Sequence, residues 1–327
     1  MLERVVGATM RWNFRVWGFG EAIALRGLLR AADTLGDRAA QAFVYGVMRT
    51  WLGRGVARSP EDHVGAGREL LEMHRRYGDD RFLAAARQLA ALHAGFPAGP
   101  FGAKCHRPDM AGWRNQIWVD CMDVDGPFLA RLAVHTGETG HFDEAADALL
   151  AYAVTLQEDD GLLTHGYERY AGRNGSRWAR GNGWALMGMV DTLACLPRQH
   201  AHWEELHRRL LLLLRALRRF QDPGGLWHTV VDDGTTYLES TLAAMAAHAL
   251  HEGFRHGVIQ RAEFDDMAAR ARHAVIKLVD ADGVLGLVSE ATPVGAHSTY
   301  ATRPFGCFPW GQGPLLLMLT DGEFPGT

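Results

Sequence analysis

The 327-residue chain has only four cysteines, Cys105, Cys121, Cys195 and Cys307, and no two of them form a CxxC pair. That scarcity argues against a disulfide framework and against a structural zinc site. Lysine is scarcer still, with Lys104 and Lys277 the only two, so arginine supplies nearly all of the positive charge. A formal net charge of -4 and a pI near 6.5 leave no broad basic footprint for nucleic acid or an acidic membrane. No apolar run approaches the ~18 residues of a membrane span. The longest leucine run, Leu210 to Leu214, is short and flanked by arginines. The opening MLERVVGATMRWNFRVWG lacks the sustained apolar stretch and small-residue cleavage site of a signal peptide. These absences favour a soluble, cytoplasmic protein.

An apolar content of 47% with 22% charged residues supports a substantial core and excludes a mainly disordered chain. Helical apolar spacing recurs in pairs. Residues 67–92 (GRELLEMHRRYGDDRFLAAARQLAAL) and 126–156 (GPFLARLAVHTGETGHFDEAADALLAYAVTL) each read as a helix, a Gly-containing stop, a charged turn and an Ala-rich helix. Residues 24–52 are a looser copy, and weaker pairs follow towards the C-terminus. The period of roughly 40–50 residues suits stacked helical hairpins, each burying the face its neighbour leaves open. Between the hairpins, 93–120, 157–183, 221–239 and 279–313 are irregular and rich in Gly, Trp, His and Asp. Loops of that kind concentrate binding and catalytic groups. Short Gly-bounded fragments within them read as small ribbons. No linker composition divides the chain, so a single domain spanning 1–327 is expected. Periodicity alone leaves an open solenoid and a closed toroid as alternatives.

The densest functional signal is Trp118-Val119-Asp120-Cys121-Met122-Asp123-Val124-Asp125-Gly126-Pro127-Phe128, three acids alternating with apolar residues before a helix. Asp125 ahead of Pro127 reads as an N-cap, with the other acids near a positive helix end. That does not account for Asp120 behind Trp118. A carboxyl group beside an indole in a pocket loses solvation, which raises its pKa towards the range of proton transfer. Asp62, in Ser59-Pro60-Glu61-Asp62-His63, fits a capping box more simply than a catalytic role, although both can hold at once.

Trp178-Ala179-Arg180-Gly181-Asn182-Gly183-Trp184 opens another helix. Its glycines allow close backbone approach, its tryptophans offer stacking faces, and Arg180 can pair with a carboxylate. A glycine-rich helix start with core tryptophans explains it equally well. His165-Gly166-Tyr167-Glu168 reads as a polar, aromatic ribbon that lines a cleft or lies exposed. His251 and His256 are too far apart for HExxH, Asp123 and Asp125 lack the rest of a calcium loop, and no GxSxG elbow occurs. No metal is expected.

Taken in order, these segments form a series. It runs Asp62-His63-Val64-Gly65-Ala66-Gly67, Trp118-Val119-Asp120 with Gly126-Pro127-Phe128, and His165-Gly166-Tyr167-Glu168. Trp178 to Trp184, Gly225-Leu226-Trp227-His228 and Tyr237-Leu238-Glu239-Ser240 complete it. The series resembles the unsaturated glucuronyl and rhamnogalacturonyl hydrolases of glycoside hydrolase families 105 and 88, family 105 more closely, over nearly the whole chain. The resemblance implies an all-α (α/α)6 barrel with short β-ribbons in its loops and an active site at one mouth. It further implies a hydrolase that hydrates the C4=C5 double bond of a 4,5-unsaturated uronic acid in lyase-generated oligosaccharides, with no metal or organic cofactor. Asp120 matches the general acid/base and Asp62 the second essential carboxylate. His165, Trp178, Arg180 and Trp184 match positions lining the unsaturated-sugar subsite, with Trp118 beside the acid. Phe19 and Trp17 fall near a first-helix aromatic position.

Two departures stand out. Tyr167-Glu168 replaces a usual Trp-Asp, and Trp310-Gly311-Gln312-Gly313 replaces a usual His-Gly-x-Gly, which leaves the leaving-group sugar open. Two other functions fit the same residues. One is an inverting glycosidase using Asp62 with Asp120 or Glu168. The other is a non-catalytic helical-repeat module that binds sugar or protein through its aromatic loops.

Overall fold

A computed structural model describes residues 1–14, 18–55 and 63–322. Helix α1 (Leu2–Met10) stands alone at the start. Hairpins follow: α2 (Phe19–Leu35) with α3 (Arg38–Arg54), α4 (Gly67–Tyr77) with α5 (Asp80–Ala94), and α6 (Cys121–Thr136) with α7 (Gly140–Leu156). Next come α8 (Ala179–Cys195) with α9 (Trp203–Phe220), and α10 (Thr241–Arg255) with α11 (Arg261–Lys277). A short α12 (His297–Ala301) and then α13 (Pro309–Thr320) end the chain's regular structure.

The hairpin turns follow from two adjacent residue types. Gly36 and Gly78 close α2 and α4 at φ 66° and 65°, the left-handed conformation that costs glycine no side-chain clash. The following aspartate caps the next helix. Asp37 accepts from the Ala39 and Ala40 amides, and Asp79 from the Arg81 amide.

One helix of each pair is buried on nearly every face and its partner on one stripe only. In α8 the buried set runs almost unbroken from Ala179 to Leu193. In α9 it is Trp203, Leu206, Leu210, Leu213, Leu214, Ala216 and Leu217, with arginines between. The inner helices α2, α4, α6, α8, α10 and α13 pack each on the next, and α13 returns to pack against α2. Behind them stand α3, α5, α7, α9 and α11, while α1 from the far end of the chain backs α13. The circle is thus closed, and the expected (α/α)6 toroid is what forms. Its closing seam needs glycine. A Cβ on Gly27 would lie 2.8 Å from the Gly313 carbonyl oxygen, and one on Gly313 would lie 2.7 Å from the Ile23 backbone.

Two ribbons lie in the loops. Strands β1 (Gln116–Trp118), β2 (Gly166–Glu168) and β3 (Gly172–Arg173) form an antiparallel sheet, with Trp118 opposite Gly166. Strands β4 (Trp227–His228) and β5 (Leu238–Glu239) pair antiparallel. Among the described residues no helix is long and apolar enough to cross a membrane.

One local expectation fails. Asp125 is not a cap, because α6 starts at Cys121 and places Asp125 inside the helix, fully buried. Asp120 holds the cap position but caps nothing with its side chain. Pro127 likewise sits within the helix, where it has no N–H to return to the preceding turn.

Candidate active site

The N-terminal ends of the inner helices converge on one mouth of the toroid. Phe19 opens α2, Asp120 precedes α6, Trp178 precedes α8, Ser240 precedes α10, and Trp310 lies in the first turn of α13. Asp62 and Trp17 lie outside the described residues. Helix N-termini carry partial positive charge, so the mouth suits an anionic ligand.

The β1–β2 ladder brings Asp120 and His165 together. The Trp118–Gly166 pairing continues as a bond from the Val119 amide to the His165 carbonyl, 2.9 Å. His165 Nε2 then lies 3.2 Å from Asp120 Oδ2. The ring's other nitrogen fixes its tautomer through groups whose direction cannot reverse. Backbone amides of Gly166 and Ser176 donate to Asn174 Oδ1, so Asn174 Nδ2 faces the Gly295 carbonyl and the Tyr300 hydroxyl at 3.1 and 2.8 Å. The Gly295 amide also donates to that hydroxyl, 3.3 Å. With both lone pairs accepting, Tyr300 directs its proton to His165 Nδ1, 2.8 Å away. His165 Nε2 therefore carries a hydrogen and donates to Asp120 Oδ2. Burial pushes the Tyr300 hydroxyl up to about 12, so it remains a donor at any working pH. Asp120 is 6% exposed, and its Oδ1 has no partner among the described residues.

Aromatic rings wall this carboxyl. Trp118 donates from Nε1 to Gln116 Oε1, 2.8 Å, and stacks on His106 with centroids 4.1 Å apart. Trp113 flanks Trp118 at 4.8 Å, and His165 meets it edge-on at 5.3 Å. Phe19 bridges His106 and Trp184, at 5.7 and 6.3 Å. Trp178 packs 4.4 Å from His165, and its buried Nε1–H has no hydrogen-bond partner among the described residues.

Arg180 departs from the expectation of an open clamp. Its Nη1 donates to Glu239 Oε1, the Ser289 carbonyl and Ser289 Oγ at 3.1, 3.0 and 2.8 Å. Nη2 donates to the Glu290 carbonyl and Thr292 Oγ1 at 2.8 and 3.3 Å. The guanidinium is sandwiched between Trp178 and Trp310, 4.4 and 5.6 Å from their ring centres, and only 1% of the residue is exposed. In this conformation it ties α8 to the start of α10 and to the 289–292 loop. Both Nη groups are thereby engaged within the protein.

Glu168 accepts from the Tyr170 and Ala171 amides, 2.8 and 2.9 Å, and so closes a turn. Gln312 is buried with its amide on the Leu285 N–H and Gly283 carbonyl, so that departure from the usual motif stabilises a loop.

Sequence reasoning missed the cluster behind Asp120. His63 Nδ1 lies 3.1 Å from both Asp125 oxygens, and its Nε2 2.7 Å from the Cys105 carbonyl. Both partners only accept, so these bonds describe a buried imidazolium–carboxylate pair. Tyr152 adds a 2.6 Å bond to Asp125 Oδ2, and His93 Nε2 lies 3.1 Å from the same oxygen without hydrogen-bond alignment. Burial alone would raise the Asp125 carboxyl, but the charges of His63 and His93 outweigh it and hold the group well below the usual range. His63 sits at φ 50°, a conformation rare for an L side chain, held by those contacts. Burial, with the nearby charge of His63, keeps His106 neutral far below its ordinary value. Cys121 Sγ lies 3.6 Å from His106 and 3.7 Å from His63. The one available signal was the Asp-Val-Asp spacing after Asp120, whose last member points into this cluster.

Comparison with known proteins matches residues 4–323 to Glycosyl Hydrolase Family 88. The unsaturated rhamnogalacturonyl hydrolase YesR of Bacillus subtilis is 26% identical over 98% of this chain and 93% of its own length. A possible member of family GH105 from Salmonella enterica superposes with a TM-score of 0.88 at 21% identity, covering 98% of this chain and 93% of that one. The unsaturated glucuronyl hydrolase of Bacillus sp. GL1 gives a TM-score of 0.77 at 15% identity, covering 98% and 96%.

Proposed function

Because this chain belongs to glycosyl hydrolase family 88, we propose that its aromatic mouth removes a 4,5-unsaturated uronic acid from lyase-generated oligosaccharides. The observation that carries this reading is the asymmetric Asp120 carboxyl. One oxygen receives His165 Nε2–H, and the other has no partner among the described residues and lies within aromatic walls. A carboxyl held on one side presents its remaining oxygen as a single proton donor and acceptor. Relatives named as hydrolases of unsaturated sugars support the substrate class.

In this mechanism Asp120 Oδ1–H protonates C4 of the enol ether, and positive charge develops at C5 and the ring oxygen. Water adds to C5 and returns its proton to Asp120. The C5 hemiketal opens to a ketone, and the hemiacetal this leaves at C1 collapses to release the neighbouring sugar. His165 holds the carboxyl in place through its Nε2–H. Trp178 and Trp118 supply stacking faces, with Phe19 and Trp184 behind them. Asp62 serves as the second carboxylate, and Trp17 joins the aromatic wall. The reaction uses protonation and water alone. No nucleic acid or membrane partner is needed, and a single catalytic domain in the cytoplasm fits a substrate of this size.

The test follows ultraviolet absorbance of the conjugated double bond on a panel of unsaturated disaccharides. The wild-type protein should bleach it and, in heavy water, place deuterium at C4. Asp120→Asn should slow the decay by about 100- to 10,000-fold with an unchanged melting curve. A folded variant that retains most of its turnover overturns the assignment. Cleavage of saturated glycosides without deuterium in carbon would mark direct hydrolysis instead, a route the turn-bound Glu168 does not favour.

A further inference from the structure

A cavity of about 750 Å³ lies away from the aromatic mouth. It opens towards the opposite one and is lined by Arg26 in the middle of α2, Arg68 and Glu69 in the first turn of α4, Arg131 in α6 and Asp191 late in α8, among others. Its volume is that of a small-molecule pocket.

Six helix C-termini aim carbonyl dipoles at this mouth, which explains why cations gather there. Most are answered by acids. Arg76 pairs with Asp33 and Glu72, and Arg30 with Glu252 and Asp321. Deeper in, Arg68 donates to Asp191 and Asp123 at 2.8 and 2.5 Å, and Arg131 lies 3.5 Å from Asp191. Two groups are left over. All three guanidinium nitrogens of Arg26 are buried without a hydrogen bond among the described residues, where its ion pair is with Asp123 at 3.8 Å. Glu69 is 2% exposed, and neither carboxylate oxygen has a hydrogen-bond partner among the described residues. A buried fork and a buried carboxyl with nothing to bond are costly and rare. Both line the same cavity.

The charges say what would complete them. Arg26, Arg68 and Arg131 face Asp123 and Asp191, and burial pushes the Glu69 carboxyl up towards its neutral form despite Arg26 and Arg68. Three guanidiniums there share two aspartates, and a Glu69 carboxyl shifted in that direction becomes more able to donate. An oxygen-rich anion would take the Arg26 fork in bidentate fashion and the Glu69 hydroxyl on another oxygen.

We propose that this second mouth binds a small organic acid, a sugar-sized molecule carrying a carboxylate or phosphate, through Arg26 with Glu69 beside it. The site is separate from the aromatic mouth and independent of the reaction assigned there.

Titration calorimetry with glucuronate, glucose 6-phosphate and inorganic phosphate, each added to the whole protein, tests this. At least one should bind, and which one does separates a sugar carboxylate from a sugar phosphate or the bare ion. Arg26→Met should remove one equivalent or weaken it by roughly 10- to 100-fold, the loss of a bidentate charged pair. Arg26→Lys should fall between, and Glu69→Gln, still a donor, should retain binding. Hydrolysis measured without added anion should be the same in Arg26→Met as in the wild type. If none of the three binds, or if a folded Arg26→Met or Arg26→Lys binds as the wild type does, the proposal fails.

Discussion

Replacing Tyr300 by Phe removes one hydroxyl that stands behind His165. Tyr300 is fully buried and faces the imidazole rather than the mouth, so substrate affinity should hardly change. What changes is the ring's freedom. In the wild type His165 Nδ1 accepts the Tyr300 proton at 2.8 Å, and the hydroxyl's two other positions are filled by Asn174 and Gly295 donors. An Nδ1–H would point at an oxygen with no lone pair free, so the ring is held in the tautomer with its hydrogen on Nε2. Tyr300→Phe leaves Nδ1 without its donor, so the tautomer and the ring's aim are no longer fixed and the Nε2–H bond that holds Asp120 is weakened. The lost hydrogen bond and the stranded nitrogen are worth about 1–3 kcal/mol, equivalent to roughly 5- to 150-fold. Turnover from absorbance decay should therefore drop by roughly tenfold or more with KM within about twofold, the signature of a term present only in the chemical step. Asn174→Asp is the companion variant. It puts an acceptor where Nδ2 now donates, draws the Tyr300 proton away from His165, and should cost at least as much turnover as Tyr300→Phe. If Tyr300→Phe keeps wild-type turnover, or Asn174→Asp does, the relay does not set the state of Asp120.

The bonds of Arg180 imply a stability effect before a binding effect. Arg180→Ala strands Glu239, which is fully buried, and should cost about 3–5 kcal/mol, read as a clear fall in melting temperature. An unchanged melting curve with a raised KM would return Arg180 to the role of substrate clamp. His106 carries a pH prediction. Burial holds its folded-state pKa well below 6.5 while the unfolded chain titrates there, so its stabilisation is full above about pH 6.5. It is lost as pH falls from there towards the folded value, at up to ~1.4 kcal/mol per pH unit. His106→Gln should flatten the stability profile between about pH 6.5 and 5 relative to the wild type, and parallel profiles would refute the assignment.

Local order was legible because it follows from local rules. Gly36-Asp37 and Gly78-Asp79 spell a helix stop and the next helix's cap wherever they occur. The Ala-rich second helices and their period fixed the hairpins. Trp118-Val119-Asp120 marked the mouth by an indole beside a carboxylate, and Trp178 to Trp184 by tryptophans and glycines around an arginine at a helix start. Asp125 was misread for the same reason: a Pro two residues on looks like the start of a helix, and only the packed structure shows that α6 begins earlier.

By itself, then, the amino-acid sequence determined the helical period, the turn chemistry and the candidate acid, each governed by neighbours a few residues away. Tertiary structure alone decided the rest. Tyr300 lies 135 positions from His165, and Ser289 lies 109 from Arg180. Whether a side chain meets substrate or a buried partner depends on which loops the closed ring of helices brings together. The packing of α2 on α4 likewise placed Arg26 and Glu69, 43 positions apart, in one cavity at the far mouth.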